Sequence, residues 1–153
     1  MPVAGAIARS IVLSLGVLAA SGRVLDAQSP ITSRARLSTV PIDVAMQETI
    51  RGSGAATATL AGTTLTVEGS YQGLVTPATS VQVYESARLG MRGTLVGEFA
   101  SGGGTGGTFK GAVTLSPDRV AAFAKGLLYV QIQSEKAPDG NLRGWLTPPK
   151  GKR

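Results

Sequence analysis

The most restrictive feature of this sequence is the stretch 127–146, LLYVQIQSEKAPDGNLRGWL, which has the pattern of two β-strands joined by a turn. In its first half Leu128, Val130 and Ile132 alternate with polar or aromatic residues, and this period of two is typical of a strand with one apolar face. Pro-Asp-Gly at 138–140 favours a chain reversal, because proline fixes φ and glycine accepts a positive φ. The pattern therefore predicts an antiparallel hairpin with its turn at 138–140.

Shorter segments with strand-like patterns fill most of the chain before this hairpin. They lie at 37–46, 57–61, 65–71, 77–84, 91–99 and 108–115. The glycine-rich run 101–107 has almost no side chains to pack, so it predicts a mobile hairpin loop between the last two segments. Ser116, Pro117 and Gly126 are typical of the two ends of a short helix at 117–125. We therefore predict an all-β fold, an antiparallel β-sandwich or flattened barrel of about seven to nine strands with one short helix.

The two ends of the chain differ in composition from this strand-rich region. Residues 1–27 hold an apolar run of about ten residues, which is typical of a secretory signal peptide and shorter than the roughly twenty residues of a membrane-spanning helix. An uncleaved N-terminal anchor is the alternative. Residues 28–36 show no periodicity and are predicted to be a flexible linker, and 148–153 form a basic tail. These limits leave 37–147 as the β domain.

The absence of cysteine and histidine excludes several kinds of chemistry. Disulfides, thiolate metal sites and nucleophiles activated by histidine all require one of these residues. Oxygen ligands remain, but Asp139, Gly140 and Asn141 are interpreted as turn residues rather than a weak calcium site. The carboxylates show no paired spacing, and Lys110 is wrongly placed for a phosphate-binding loop. No catalytic, cofactor-binding or metal-binding residue is predicted.

Several motifs of this chain resemble those of the CHRD domain, the module named after chordin. Residues 129–134 (YVQIQS) and 141–146 (NLRGWL) resemble the family pattern Y-V-N-I-H-T followed by E-I-R-G-Q-L. Residues 57–60 (TATL) and 65–71 (LTVEGSY) resemble its opening hairpin, and 77–84 (PATSVQVY) resembles P-A-T-A-A-H-I-H. The resemblance places the three family histidines at Gln82, Tyr84 and Gln133. It implies an immunoglobulin-like or superoxide dismutase-like sandwich in an exported, non-enzymatic module of the stand-alone bacterial type.

A small set of polar residues on these motifs is predicted to contact a ligand or to preserve a family motif. The set is Gln82, Tyr84, Gln133, Glu135, Arg143 and Trp145. Arginine beside an exposed tryptophan can bind a ligand through its planar fork and the indole face. The alternative for Arg143 is a structural pair with Glu135 across the hairpin.

The function predicted from these observations is an exported, non-catalytic binding or structural module in the periplasm or outside the cell. Its ligand is expected to be a protein or an anionic surface polymer, because the formal charge of +6 is modest and scattered rather than clustered as in a specific nucleic-acid site. No transmembrane segment is expected once the leader is removed. The alternative is a metal-dependent enzyme of superoxide dismutase-like ancestry, which the lack of histidine and cysteine disfavours.

Overall fold

The computed structural model describes residues 29–150, which form eight β-strands and one α-helix. The strands are β1 Ile31–Thr39, β2 Ser53–Ala61, β3 Thr64–Gln72, β4 Ala78–Glu85, β5 Thr94–Phe99, β6 Gly107–Thr114, β7 Leu128–Ser134 and β8 Ala137–Leu146. Helix α1 spans Pro117–Ala124, and a single 3-10 turn lies at Val44–Met46. The predicted signal peptide, residues 1–27, lies outside the described residues.

All eight strands belong to one antiparallel sheet in the order β5-β4-β7-β8-β1-β2-β3-β6. Strand β1 joins the two halves, since Ile31–Leu37 pair with β2 while Ser38 and Thr39 pair with β8. The sheet curls until its two edge strands approach each other. The predicted all-β flattened barrel with one short helix is confirmed.

The edge strands β5 and β6 close the barrel by packing rather than by a hydrogen-bonded ladder. The ring of Phe99 on β5 lies over Gly111 on β6, where an added Cβ would come within 2.2 Å of its Cδ1 atom. Gly97 faces Val113 in the same way, at 3.2 Å from Cγ2. Glycine on one strand therefore leaves room for a larger side chain from the other strand. A side chain at the glycine position would keep the two strands apart.

Helix α1 covers one end of the core. Its Phe123 is fully buried against the apolar inner faces of the strands. The helix ends in a Schellman motif, in which Gly126 has φ of 73° while Gly126 and Leu127 donate to the carbonyls of Phe123 and Ala122. Among residues 29–150, no helix has both the length and the apolar character required to cross a membrane.

The linker predicted at 28–36 is wrong for most of its length. Residues from Ile31 onward form β1, in which Ser33, Ala35 and Leu37 face the core. The strand is inconspicuous in the sequence because the small residues Ser33 and Ala35 occupy two of its three buried positions, and arginines lie between the buried residues. The strand predicted at 37–46 accordingly ends at Thr39, and Asp43 caps the following 3-10 turn by accepting from the Met46 N–H.

The hairpin of β7 and β8 is confirmed, but its turn lies at Glu135 and Lys136 rather than at 138–140. Four residues of β8, 138–141, stand opposite the single residue Gln133 and form a large irregular bulge. Contacts from elsewhere hold this bulge: the Val40 N–H donates to the Asn141 carbonyl at 3.1 Å, and Gln131 Nε2 donates to the Asp139 carbonyl at 3.1 Å. Proline is compatible with a bulge because it has no N–H to donate to the ladder.

The glycine-rich loop after β5 differs from its prediction in the strands that it connects and in the hydrogen bonds that hold it in place. It joins opposite edges of the sheet, so β5 and β6 are not a hairpin. Its carbonyls at Gly104 and Thr105 accept hydrogen bonds from the N–H groups of Ala78 and Leu74, at 2.9 and 3.0 Å. Backbone contacts therefore fix a segment that has almost no side chains.

Candidate functional site

The outer face of β4, β7 and β8 carries a polar and aromatic patch instead of a solvated surface. Directly opposed residues form it in rows across the three strands. The pairs are Gln82 with Gln131, Tyr84 with Tyr129, Gln131 with Arg143, and Tyr129 with Trp145. Tyr129, Gln131 and Gln133 are buried although they point away from the barrel core. Flanking loops must therefore cover this face.

Two of the predicted positions on β4 and one on β7 meet in a single hydrogen-bonded network. The Tyr84 hydroxyl and Gln133 Nε2 both donate to Gln82 Oε1, the second at 2.6 Å. Gln82 Nε2 donates to Glu98 Oε2 at 2.5 Å, and Ser80 Oγ donates to Gln133 Oε1 at 3.3 Å. The structure thus brings Gln82, Tyr84 and Gln133 together.

Tyr129 is the centre of an aromatic and cationic stack beside this network. Its ring lies parallel to that of Tyr84 with centroids 5.2 Å apart, and the Trp145 ring is tilted at 4.8 Å. The Arg143 guanidinium carbon lies 4.7 Å from the Tyr129 centroid, within cation–π range. The Tyr129 hydroxyl accepts a hydrogen bond from the Gly93 N–H at 2.9 Å, so the loop before β5 closes over the stack.

Arg143 is held by a neutral amide rather than by a carboxylate. Its Nε and Nη2 atoms donate to Gln131 Oε1 at 3.1 and 2.8 Å. The cross-strand pair with Glu135 is wrong, because Glu135 lies exposed in the hairpin turn and its N–H donates to the Pro77 carbonyl. Arg143 and Trp145 therefore join the site, and Glu135 does not.

Two adjoining spaces beside the stack form what we call the outer cleft, with volumes of about 330 and 190 Å³. Both have Arg92, Pro138, Asp139 and Arg143 in their walls. The larger is lined further by apolar and polar residues of the 40–50 loop, among them Val40, Pro41, Met46, Thr49 and Ile50. The smaller reaches Tyr84, Tyr129 and Gln131. Cavities of this combined size accommodate small ligands or a short stretch of a larger one.

Hydrogen bonds fix both loops that form the rim of the outer cleft. The buried Ser86 hydroxyl donates to the Arg88 carbonyl at 2.7 Å, and its Oγ also lies 3.1 Å from the Met91 carbonyl oxygen. On the other loop the N–H groups of Thr49 and Ile50 both donate to the Met46 carbonyl at 3.0 Å. The cleft is therefore preformed, which lowers the entropic cost of binding.

The outer cleft has a net positive charge. Arg92, Lys136 and Arg143 line it together with one carboxylate, Asp139. The only salt bridges among residues 29–150 are Lys110 with Glu68 and Arg119 with Glu85, so none of the three cations has a carboxylate within 4.0 Å. Unpaired cations in a concave site favour an anionic ligand.

The sequence interpretation missed four residues of this site. Tyr129 and Gln131 share a strand face with Gln133, and their spacing of two could have placed them beside it. Arg92 and Lys136 lie in a loop and a turn, and no periodic pattern relates them to Arg143.

A second depression of about 630 Å³ lies on the outer face of β2, β3 and β6. Its charged residues, Lys110 and Glu68, pair with each other at 3.6 Å and both are more than half exposed. This surface is wide and its charges are neutralised, so it offers a ligand fewer unpaired groups than the outer cleft.

Comparison with known proteins finds a match to the model of the CHRD domain over residues 34–146, which is most of the chain. The chain belongs to the CHRD domain family. The match begins within β1, in agreement with the structural limits of the domain. No curated protein and no solved structure matches the chain. CHRD domains are usually extracellular, and the family is not known as catalytic.

The patch on this CHRD domain does not fit copper or zinc. Gln82, Tyr84 and Gln133 supply amide and phenol groups, and these groups bond to one another. Residues 29–150 contain no cluster of three or more histidine, cysteine, aspartate or glutamate side chains able to hold a metal ion.

The Tyr84 phenol of the CHRD domain should make stability fall at alkaline pH. Burial raises its pKa above the ordinary 10.0, as do Tyr129 and Glu98, whereas Arg92 and Arg143 act in the opposite direction. The folded state therefore holds this proton more tightly, and its contribution to stability is complete below pH 10.0 and lost as pH rises through the folded pKa. We expect the thermal midpoint to fall more steeply above pH 10.0 in the wild type than in Tyr84→Phe. Parallel pH profiles of the two proteins would contradict this expectation.

Proposed function

We propose that this protein is exported and that its CHRD domain is a non-catalytic binding module whose ligand, a protein or a surface polymer outside the cytoplasm, occupies the outer cleft. The observation that carries the proposal is the combination of a preformed cleft with three cations that lack a carboxylate partner within the described residues. Placing like charges together destabilises a fold unless something compensates them. A bound anionic group would supply that compensation.

The residues that line the outer cleft favour binding over catalysis. Asp139 is its one carboxylate, so the lining lacks the second carboxylate that paired acid–base catalysis would need. Tyr84 keeps its proton at neutral pH, since its pKa is raised by burial. The arginines stay protonated at any physiological pH and act only as donors.

Capture of a ligand on immobilised protein tests the proposal. The full chain is expressed with its own leader, recovered from the exported fraction and exposed to an extract of the cell envelope of its source. Arg92 and Lys136 are both exposed, so the double variant Arg92→Gln/Lys136→Gln should fold normally. We expect saturable capture of an envelope component, reduced about tenfold or more in the double variant because two charged contacts are lost.

The matched control is Arg34→Gln/Arg36→Gln, which removes the same charge from exposed positions on β1 outside the outer cleft. Equal losses in both double variants would indicate nonspecific attraction by net charge. Failure to capture any component saturably would contradict a binding function. Stoichiometric copper, zinc or manganese in the purified protein, measured by elemental analysis, would favour the metal-enzyme alternative instead.

A further inference from the structure

The guanidinium of Arg143 is fixed in one orientation by neighbours that leave its charge uncompensated. Gln131, which is 4% exposed, accepts from both Nε and Nη2, and its own Nε2 is held by the Asp139 carbonyl. Gly140 packs so closely that a Cβ there would lie 2.7 Å from Gln131 Cδ. The amide is therefore held in place by its hydrogen bonds, and it orients the arginine.

This arrangement leaves one edge of the guanidinium available to a ligand. The edge formed by Nε and Nη2 is used by Gln131, and Nη1 has no hydrogen-bond partner within residues 29–150. Nη1 and the second hydrogen of Nη2 form the remaining edge, whose two parallel N–H groups match the two oxygens of a carboxylate. The face of the guanidinium is already against Tyr129, so an in-plane partner is favoured.

One wall of the outer cleft is apolar, and this suits a peptide better than a sugar. Val40, Pro41, Met46 and Ile50 lie in its wall. Several large apolar side chains on the same two rim loops are exposed to solvent, and they are Ile42, Val44, Met46, Leu89 and Met91. Aliphatic side chains of a peptide can cover these groups and remove them from water, whereas an acidic polysaccharide presents mostly hydroxyls.

We infer that the outer cleft recognises an acidic segment of a protein partner, with one glutamate or aspartate carboxylate seated on the free edge of Arg143 and flanking aliphatic side chains against the apolar rim. This inference rests on the proposed function and specifies its ligand. Arg92 and Lys136, at the margins of the same cleft, add attraction for the acidic segment without fixing its geometry.

Trp145 fluorescence can report binding, because Trp145 is the only tryptophan in the sequence. Its ring centroid lies 4.8 Å from that of Tyr129, the ring that Arg143 contacts. The full chain is titrated with a blocked nonapeptide pool that has a central glutamate and flanking positions randomised over alanine, serine, leucine and valine. A matched pool has a central glutamine, and trigalacturonate is the carbohydrate probe. We expect the glutamate pool to change Trp145 fluorescence saturably and to bind about tenfold or more tightly than the glutamine pool.

Arg143→Lys tests the geometry, since it keeps the charge and removes the fork. We expect it to weaken binding of the glutamate pool about tenfold, while the exposed control Arg34→Lys leaves binding unchanged. Equal binding of the glutamate and glutamine pools, or unchanged binding by Arg143→Lys, would overturn the carboxylate contact. Tighter binding of trigalacturonate than of the glutamate pool, or no response to either pool, would overturn the peptide assignment. Either result would leave the proposed function intact as long as envelope capture still depends on Arg92 and Lys136.

Discussion

A chain that begins at Leu37 is expected to lose cooperative folding, whereas a chain that begins at Ser29 should retain it. Truncation at Leu37 removes most of β1, the strand that joins the two halves of the sheet. The N–H and C=O groups of β2 that face β1 would lose their partners, and each lost hydrogen bond removes about 0.5–1.5 kcal/mol of stability. Over a strand of this length the total is comparable with the roughly 5–15 kcal/mol that stabilises a typical domain.

The measurement is thermal unfolding followed by circular dichroism and by Trp145 fluorescence. A full-length variant with residues 31–36 replaced by glycine and serine separates the loss of the strand from the loss of chain length. Both altered chains should lack a sharp transition. A cooperative transition close to that of the Ser29 chain would restore the interpretation of this segment as a flexible linker.

The second large effect is expected at the closure between β5 and β6. Gly111→Ala places a methyl group where the Phe99 ring now lies, at 2.2 Å from Cδ1. The ring must leave its position or the edge strands must separate, and such overpacking costs about 1–3 kcal/mol. Urea denaturation should show this loss of unfolding free energy.

A double-mutant cycle identifies the cause of that loss. In a Phe99→Ala background the ring is absent, so Gly111→Ala should cost much less, with a coupling energy of about 0.5–3 kcal/mol. Gly106→Ala is the matched control, because a Cβ there has no neighbour nearer than 3.4 Å, and its effect should remain within about 0.5 kcal/mol. Equal costs of Gly111→Ala in both backgrounds would contradict closure by this contact.

Part of the candidate site could be predicted from sequence. Alternation placed Gln82 and Tyr84 on one strand face and Gln133 on a face of another, and strand pairing brings all three into one network. The prediction failed for Glu135, whose pairing with Arg143 assumed a turn at 138–140. The real turn, three residues earlier, moves Glu135 out of the ladder, and together with the bulge at 138–141 it puts Gln131 opposite Arg143.

The outer cleft could not be predicted, because its walls come from segments without periodic patterns. The 40–50 loop, the loop before β5 and the bulge at 138–141 lie far apart in sequence. They meet over β7 only because β7 is central in its half of the sheet and its outer face carries polar groups that the loops can bond.

The sequence by itself determined the all-β class, the position of helix α1, and the hairpin of β2 and β3. These features depend on periodicity, turn chemistry and residue identity, which are local properties. The tertiary structure alone decided that β1 is a central strand, where the final hairpin turns, and that Arg92, Lys136 and Arg143 share one cleft. Those outcomes depend on hydrogen bonds and packing between residues distant in the chain, whose free energies a local pattern does not contain.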